Sequence, residues 1–233
     1  MDLLRDIYFF TLKNDNAADC QGQFLTSFIS LDNSWIDAYA EVVCEKAQGG
    51  TTDYDFEKYL SLWQTDDYLK YFDHIFERMS DNYNDLYGWR YADAFRDILG
   101  NRENNQVVLE RQEKWVLHAV DQYAADEKII FLFSAISETG TKLRECAFRE
   151  FISRNSDYAI FEKIQLDSNS WFGYTSEIVA DLQSRIEFLE SLLPYVHRIK
   201  YLQHAKRIRD RIDFWKDQIE REETEAITRK LYR

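Results

Sequence analysis

Residues 178–226 read IVADLQSRIEFLESLLPYVHRIKYLQHAKRIRDRIDFWKDQIEREETEA, and their spacing decides the fold class. The first arm sets Ile178, Leu182, Ile186, Leu189 and Leu193 three or four residues apart, the repeat of one apolar face on an α-helix. The second arm places Ile208, Ile212, Trp215, Ile219 and Ala226 at steps of 4, 3, 4 and 7, the seam of a coiled coil. Pro194 lies between the arms, where its fixed φ and missing N–H end a helix. Two amphipathic rods joined by a short break predict a long antiparallel αα-hairpin.

Working outward, the same period recurs. Leu143, Ala147, Phe148, Phe151 and Ile152 follow the turn Glu138-Thr139-Gly140-Thr141. Ahead of that turn, a helix carrying Leu109, Trp115, Val116, Val120 and Tyr123 runs from Val107 toward the apolar stretch Ile129–Ile136. Tyr87, Tyr91, Phe95, Ile98 and Leu99 form another stripe, stopped by Gly100-Asn101. Before it come Tyr68, Leu69, Phe72, Ile75, Phe76 and Met79, with Thr65 as the expected cap. Shorter helices are expected over Tyr54–Trp63, over Trp35–Val43 behind the cap cluster Asp32-Asn33-Ser34, around Phe24–Leu31, and at Leu3–Leu12. Gly49-Gly50-Thr51-Thr52 is the clearest break, and Asp167–Gly173, DSNSWFG, reads as a loop.

Composition agrees with helices. Seven glycines and one proline in 233 residues cannot supply the turn every 8–12 residues that a β-sandwich or barrel needs. The net charge of −13 argues against a general binder of nucleic acid or anionic membranes, which needs clustered Lys and Arg. The charge is uneven: residues 1–100 hold 19 acids against 8 bases, and residues 197–233 hold 11 bases against 7 acids. The polar stretch 101–106 therefore divides an acidic, aromatic-rich region, 1–104, from helices and hairpin at 105–233, unless the two form one continuous domain. No apolar run reaches the ~20 residues of a spanning helix. The start, MDLLRDIYFF, has Asp2 and Asp6 where a signal peptide carries basic residues. Cys20, Cys44 and Cys146 are odd in number and widely spaced, which fits neither a disulfide framework nor a zinc knuckle and suggests a reducing cytoplasm.

Leu143-Arg144-x-x-Ala147-x-x-x-Phe151-Ile152 resembles the second helix of a HEAT-like repeat, with a small residue where two helices touch closely. Trp89-Arg90-x-Ala92-x-x-Phe95 is a looser echo. This resemblance implies stacked helix pairs, an irregular HEAT-like array ending in the hairpin. The stretch from Phe161 through the hairpin also resembles the helical sensor regions of large bacterial ATPases of phage defence, which implies recognition or scaffolding inside an assembly. A phosphate loop, Gly-x-x-x-x-Gly-Lys-Ser/Thr, is absent.

Three constellations bear on chemistry. Asp73, His74 and Glu77 share a helix, as do His118 and Asp121, yet the order is reversed from the Glu-x-x-His of di-iron bundles and no further acids complete a set. Neither metal nor cofactor is expected. Arg198 and His204 have the Arg-x5-His spacing of HEPN-type ribonucleases, where His204 would move the ribose proton and Arg198 steady the phosphate, with Lys206, Arg207 and Arg209 nearby for RNA. This is the alternative reading. No Gly-x-Ser-x-Gly elbow exists, and Cys44 and Cys146 sit in apolar settings that keep a thiol inert.

Binding carries the main expectation. Thirty-seven aromatics exceed what one helical core of this size hides, and surface Tyr and Trp make interface hot spots. Trp171 and Phe172 in their polar loop, Tyr54, Tyr59 and Trp63 on one helix, and Tyr87 in the Tyr83/Tyr87/Tyr91 series are the candidate contacts. The chain thus reads as an all-α, non-catalytic recognition or scaffolding module with protein partners, a second copy included. Any nucleic-acid contact would fall to the basic hairpin.

Overall fold

The computed structural model describes residues 62–83, 88–99, 105–167 and 174–231, together with positions 3, 6, 37, 38, 40, 41, 44 and 45. Every regular element among them is helical, and none is a strand. Most of the expected helix over Leu3–Leu12, the expected helices over Phe24–Leu31 and Tyr54–Leu60, the Gly49–Thr52 break, the Gly100-Asn101 stop and most of the DSNSWFG loop lie outside the described residues. The chain divides into two compact units, Met1–Thr139 and Gly140–Arg233.

In the first unit, α1 (Tyr68–Asp81), α2 (Gly88–Leu99), α3 (Gln106–Tyr123) and α4 (Lys128–Ala135) pack together, with α4 against the other three. Apolar residues cover most of the surface of α4, and Ile129, Phe131, Leu132, Phe133 and Ala135 are all buried, as a short helix enclosed on several sides requires. Phe76 is the hub: its ring lies 5.2–5.6 Å from those of Phe95, Trp115, Tyr123 and Phe131. Trp63 stacks on Phe72 at 3.6 Å, and its indole donates to the Ile98 carbonyl at 3.1 Å. Trp115 belongs to this core, which is why α3 sits in the first unit although its sequence position groups it with 105–233. The division accordingly falls at the Thr139-Gly140 turn rather than in the polar stretch at 101–106.

Local details follow their chemistry. Asn105 caps α3 by accepting from the N–H groups of Val107 and Val108. Thr65 does not cap α1: its hydroxyl donates back to the Leu62 carbonyl, and Asp67 occupies the cap position without a side-chain bond. Gly88 opens α2 because nothing larger fits. A Cβ there would stand 1.7 Å from the Tyr83 carbonyl oxygen.

In the second unit, α5 (Thr141–Arg154) and the short α6 (Tyr158–Phe161) pack on a hairpin of α7 (Thr175–Leu192) and α8 (Leu202–Leu231). Leu182, Leu189 and Leu192 on one arm and Ile208, Ile212 and Trp215 on the other are all buried, and the two arms pack against each other. Two 3-10 turns, Leu193–Val196 with Pro194 inside it and Ile199–Tyr201, make the connection. Ala147 is fully buried on α5, and α5 packs against α7. Ala92 is buried likewise in the first unit. Among the described residues, no helix is long and apolar enough to cross a membrane.

Candidate functional site

The polar chemistry of the second unit gathers where the chain after α6 meets α8. Arg207 donates one guanidinium nitrogen to the Phe161 carbonyl at 2.5 Å and the other to that of Ile164 at 2.7 Å. One turn further on, Arg211 Nε donates to both oxygens of the buried Asp167, at 2.9 and 3.2 Å. The Trp215 indole N–H donates to the same carboxylate. The Trp215 ring in turn lies under two guanidiniums, Arg211 at 4.2 Å and Arg185 at 5.1 Å. A cavity of about 550 Å³ opens beside this joint, lined by Lys163, Gln165, Asp167, Arg211 and Phe214 among others. Arg207 and Arg211 bond to the protein itself, so the arrangement acts as a clamp on residues 161–167 rather than as a cradle for an anion.

His204 lies inside the unit, one turn before Arg207, and is 1% exposed. Its ring is boxed by those of Phe161 at 4.3 Å, Tyr201 at 5.2 Å and Tyr158 at 5.4 Å. Neither ring nitrogen has a hydrogen-bond partner. Burial pushes its pKa below the ordinary histidine value, the Arg207 charge pushes the same way, and Asp157 opposes them. Tyr201, beside it, is anchored by its hydroxyl to the Ile152 carbonyl at 2.6 Å. Arg198 sits apart, exposed at the cap of the second 3-10 turn. The two members of the Arg-x5-His spacing are therefore not assembled into one centre: one faces solvent, and the other is sealed among aromatic rings.

The hairpin turn has a different character. Between Glu190 and Asp210 the sequence contains no acid, while Arg198, Lys200, Lys206, Arg207 and Arg209 fall there. Ile199 and Leu202 stand out at 85% and 63% exposed. They are three residues apart across a 3-10 turn, where side chains at i and i+3 line up. Leu202, Lys206 and Arg209 then continue one exposed ridge along α8 at helical spacing. Two bare aliphatics set among cations form a surface with a defined chemistry, in a protein whose net charge is −13.

The remaining candidates divide. Trp63 is core, fully buried, stacked and hydrogen-bonded, and so cannot serve as a contact residue on this surface. Trp171, Phe172, Tyr54, Tyr59 and Tyr87 lie outside the described residues. Asp73 and His118 do meet, with His118 Nε2 3.2 Å from Asp73 Oδ2, and Trp115 donates to the other Asp73 oxygen at 2.9 Å. Burial nevertheless raises the Asp73 pKa, with His118 opposing. Glu77 instead accepts from the Tyr123 hydroxyl at 2.7 Å, and His74 pairs with Asp37 at 3.1 Å. Among the described residues no group of three His, Cys, Asp or Glu is placed to hold a metal. Among the described residues, neither Cys44 nor Cys146 is in a disulfide, and burial pushes the Cys44 pKa up to about 12.

Sequence reasoning missed the Asp167–Arg211–Trp215 clamp, whose members are 44 and 48 residues apart and follow no local pattern. It also missed Ile199 and Leu202, although the acid-free run around them was visible. No family model, characterised protein or solved structure matches this chain.

Proposed function

We propose that this chain is a non-catalytic protein-recognition or scaffolding module that binds through the turn of its C-terminal hairpin. The observation that carries the reading is the pair Ile199 and Leu202, held bare on a structured turn among Arg198, Lys200, Lys206 and Arg209. Aliphatic groups facing water at a rigid turn contribute nothing to folding, and covering each one stabilises a complex by roughly 1.5–3 kcal/mol. The cations around them select a partner surface rich in carboxylates. A cytoplasmic setting and a place in a bacterial defence assembly belong to the same proposal; the first is supported by the odd number and wide spacing of the three cysteines, and the second rests only on the resemblance of the C-terminal helices.

Affinity capture from the native host with the wild type, Ile199→Glu and His204→Ala tests this reading. The expected result is a discrete partner that Ile199→Glu loses and His204→Ala keeps, in a protein that leaves single-stranded RNA intact. Cleavage of that RNA abolished by His204→Ala would overturn it in favour of the ribonuclease reading.

A further inference from the structure

His204 is a buried titratable group that the binding role of the turn leaves unused, and its cover is weakly built. Among the described residues 153–163, Phe161 alone is buried. α6, inside this stretch, is a single turn, too short to hold itself as a helix. Phe161 carries the attachment. Its ring lies 4.3 Å from that of His204, its carbonyl accepts from Arg207, and the Arg207 guanidinium sits 5.1 Å over the same ring. Tyr201, another neighbour of His204, is held more firmly, because it belongs to the hairpin and its hydroxyl is tied to the Ile152 carbonyl.

We infer that residues 157–163 form a strap that acid opens: protonation of His204 lifts α6 from α8 and lets water reach the imidazolium, while the hairpin stays folded. A neutral imidazole tolerates its aromatic box, although neither nitrogen has a partner. An imidazolium presents two N–H donors there and finds an acceptor for neither. The charges around it are mixed. Arg207, three residues on along α8, repels it, and Asp157, at the cap of α6, attracts it. Tyr158 from α6 and Tyr201 from the 3-10 turn face it edge to ring, with Lys200 4.7 Å over the Tyr201 ring. Once the strap is open, water solvates both N–H groups and the imidazole takes up its proton near the ordinary 6.5. Closed, burial and Arg207 hold protonation off to lower pH. The open state is therefore favoured progressively as pH falls below about 6.5, and above it acid has no hold on the strap. Between about pH 7.5 and about pH 5 the opening equilibrium rises by at most about 30-fold, the ceiling reached when the closed form takes up no proton.

Amide hydrogen exchange of the full chain, resolved by residue and corrected for the intrinsic effect of pH, tests this. The reporters are the amides of Phe161, Glu162 and Lys163, which bond to the carbonyls of Asp157, Tyr158 and Ile160 and are freed when the strap opens. Their protection is expected to fall as pH is lowered from about 7.5 to about 5, by up to about 30-fold. The amides of Ile208 and Ile212 on α8 should stay better protected at every pH. Low urea that weakens their protection should leave the strap amides almost unmoved, because a one-turn opening exposes little surface. His204→Phe and His204→Gln both remove the titrating group, and the second serves if circular dichroism shows the first unfolded. In either variant the strap profile should be flat with pH. Strap protection that changes by less than about twofold overturns the inference, as does a strap already unprotected at about pH 7.5. An equal fall in the His204 variants overturns it too, by placing the effect on the Asp157 cap. So does a urea response parallel to that of Ile208 and Ile212, which would mean that the unit opens only as a whole.

Discussion

At the scale of single residues, His204 shows how little a motif says without its surroundings. Its spacing from Arg198 matches a nuclease pattern, but three aromatic rings and two unpartnered nitrogens make it a buried neutral imidazole. Unfolded, it takes up a proton near its ordinary pKa of 6.5; folded, burial and the Arg207 charge hold protonation off to lower pH. As pH falls below about 6.5 the unfolded chain therefore binds the extra proton first, and stability drops until folded His204 itself protonates. Asp73 and Asp93, raised by burial, act in the opposite sense at lower pH, so the comparison that isolates His204 is with His204→Phe. Urea midpoints measured from about pH 7 to about pH 5 should fall less in this variant than in the wild type; equal slopes would remove the buried imidazole from the account. Gly88 gives a second test. Gly88→Ala forces a Cβ onto the Tyr83 carbonyl and should cost roughly 1–3 kcal/mol in denaturant unfolding, whereas an unchanged midpoint would mean the start of α2 is placed otherwise.

At the scale of elements, the clamp between residues 161–167 and α8 carries the clearest energetic claim. Asp167→Ala leaves Arg211 and the Trp215 indole facing a buried void and should destabilise the second unit by about 3–5 kcal/mol, read from Trp fluorescence during urea unfolding. A loss no larger than that of a surface pair, under about 1 kcal/mol, would contradict it. The helices themselves were legible in the sequence, because a 3.6-residue period over α1, α2, α3, α5, α7 and α8 survives without knowledge of the partners. The αα-hairpin was legible too, from Pro194 and the two flanking stripes. The clamp was not, since Asp167 meets Arg211 only after the chain has turned back through the whole of α7. Trp63 was misread for a related reason. A stripe shows which residues share a face, and says nothing of whether another helix covers that face.

At the scale of the whole molecule, two cores rather than one explain why composition and structure divide the chain at different places. The polar stretch falls at 101–106, but packing changes at Thr139-Gly140, because Trp115 on α3 completes the aromatic cluster around Phe76. Phe76→Ala should therefore cost about 3–5 kcal/mol in the first unit. Its effect should add to that of Asp167→Ala within about 0.5 kcal/mol, because the two residues share no partner; a larger interaction energy in the double variant would argue against separate cores. The proposed binding role depends on where apolar surface is left uncovered, and the hairpin turn is where it coincides with the one long acid-free run of positive charge. Amide hydrogen exchange across residues 197–206, compared between the free chain and the chain bound to a partner captured from the host, tests that claim most directly. Slower exchange in this segment on binding is the predicted result. Protection elsewhere, with the turn exchanging as fast as before, would contradict it.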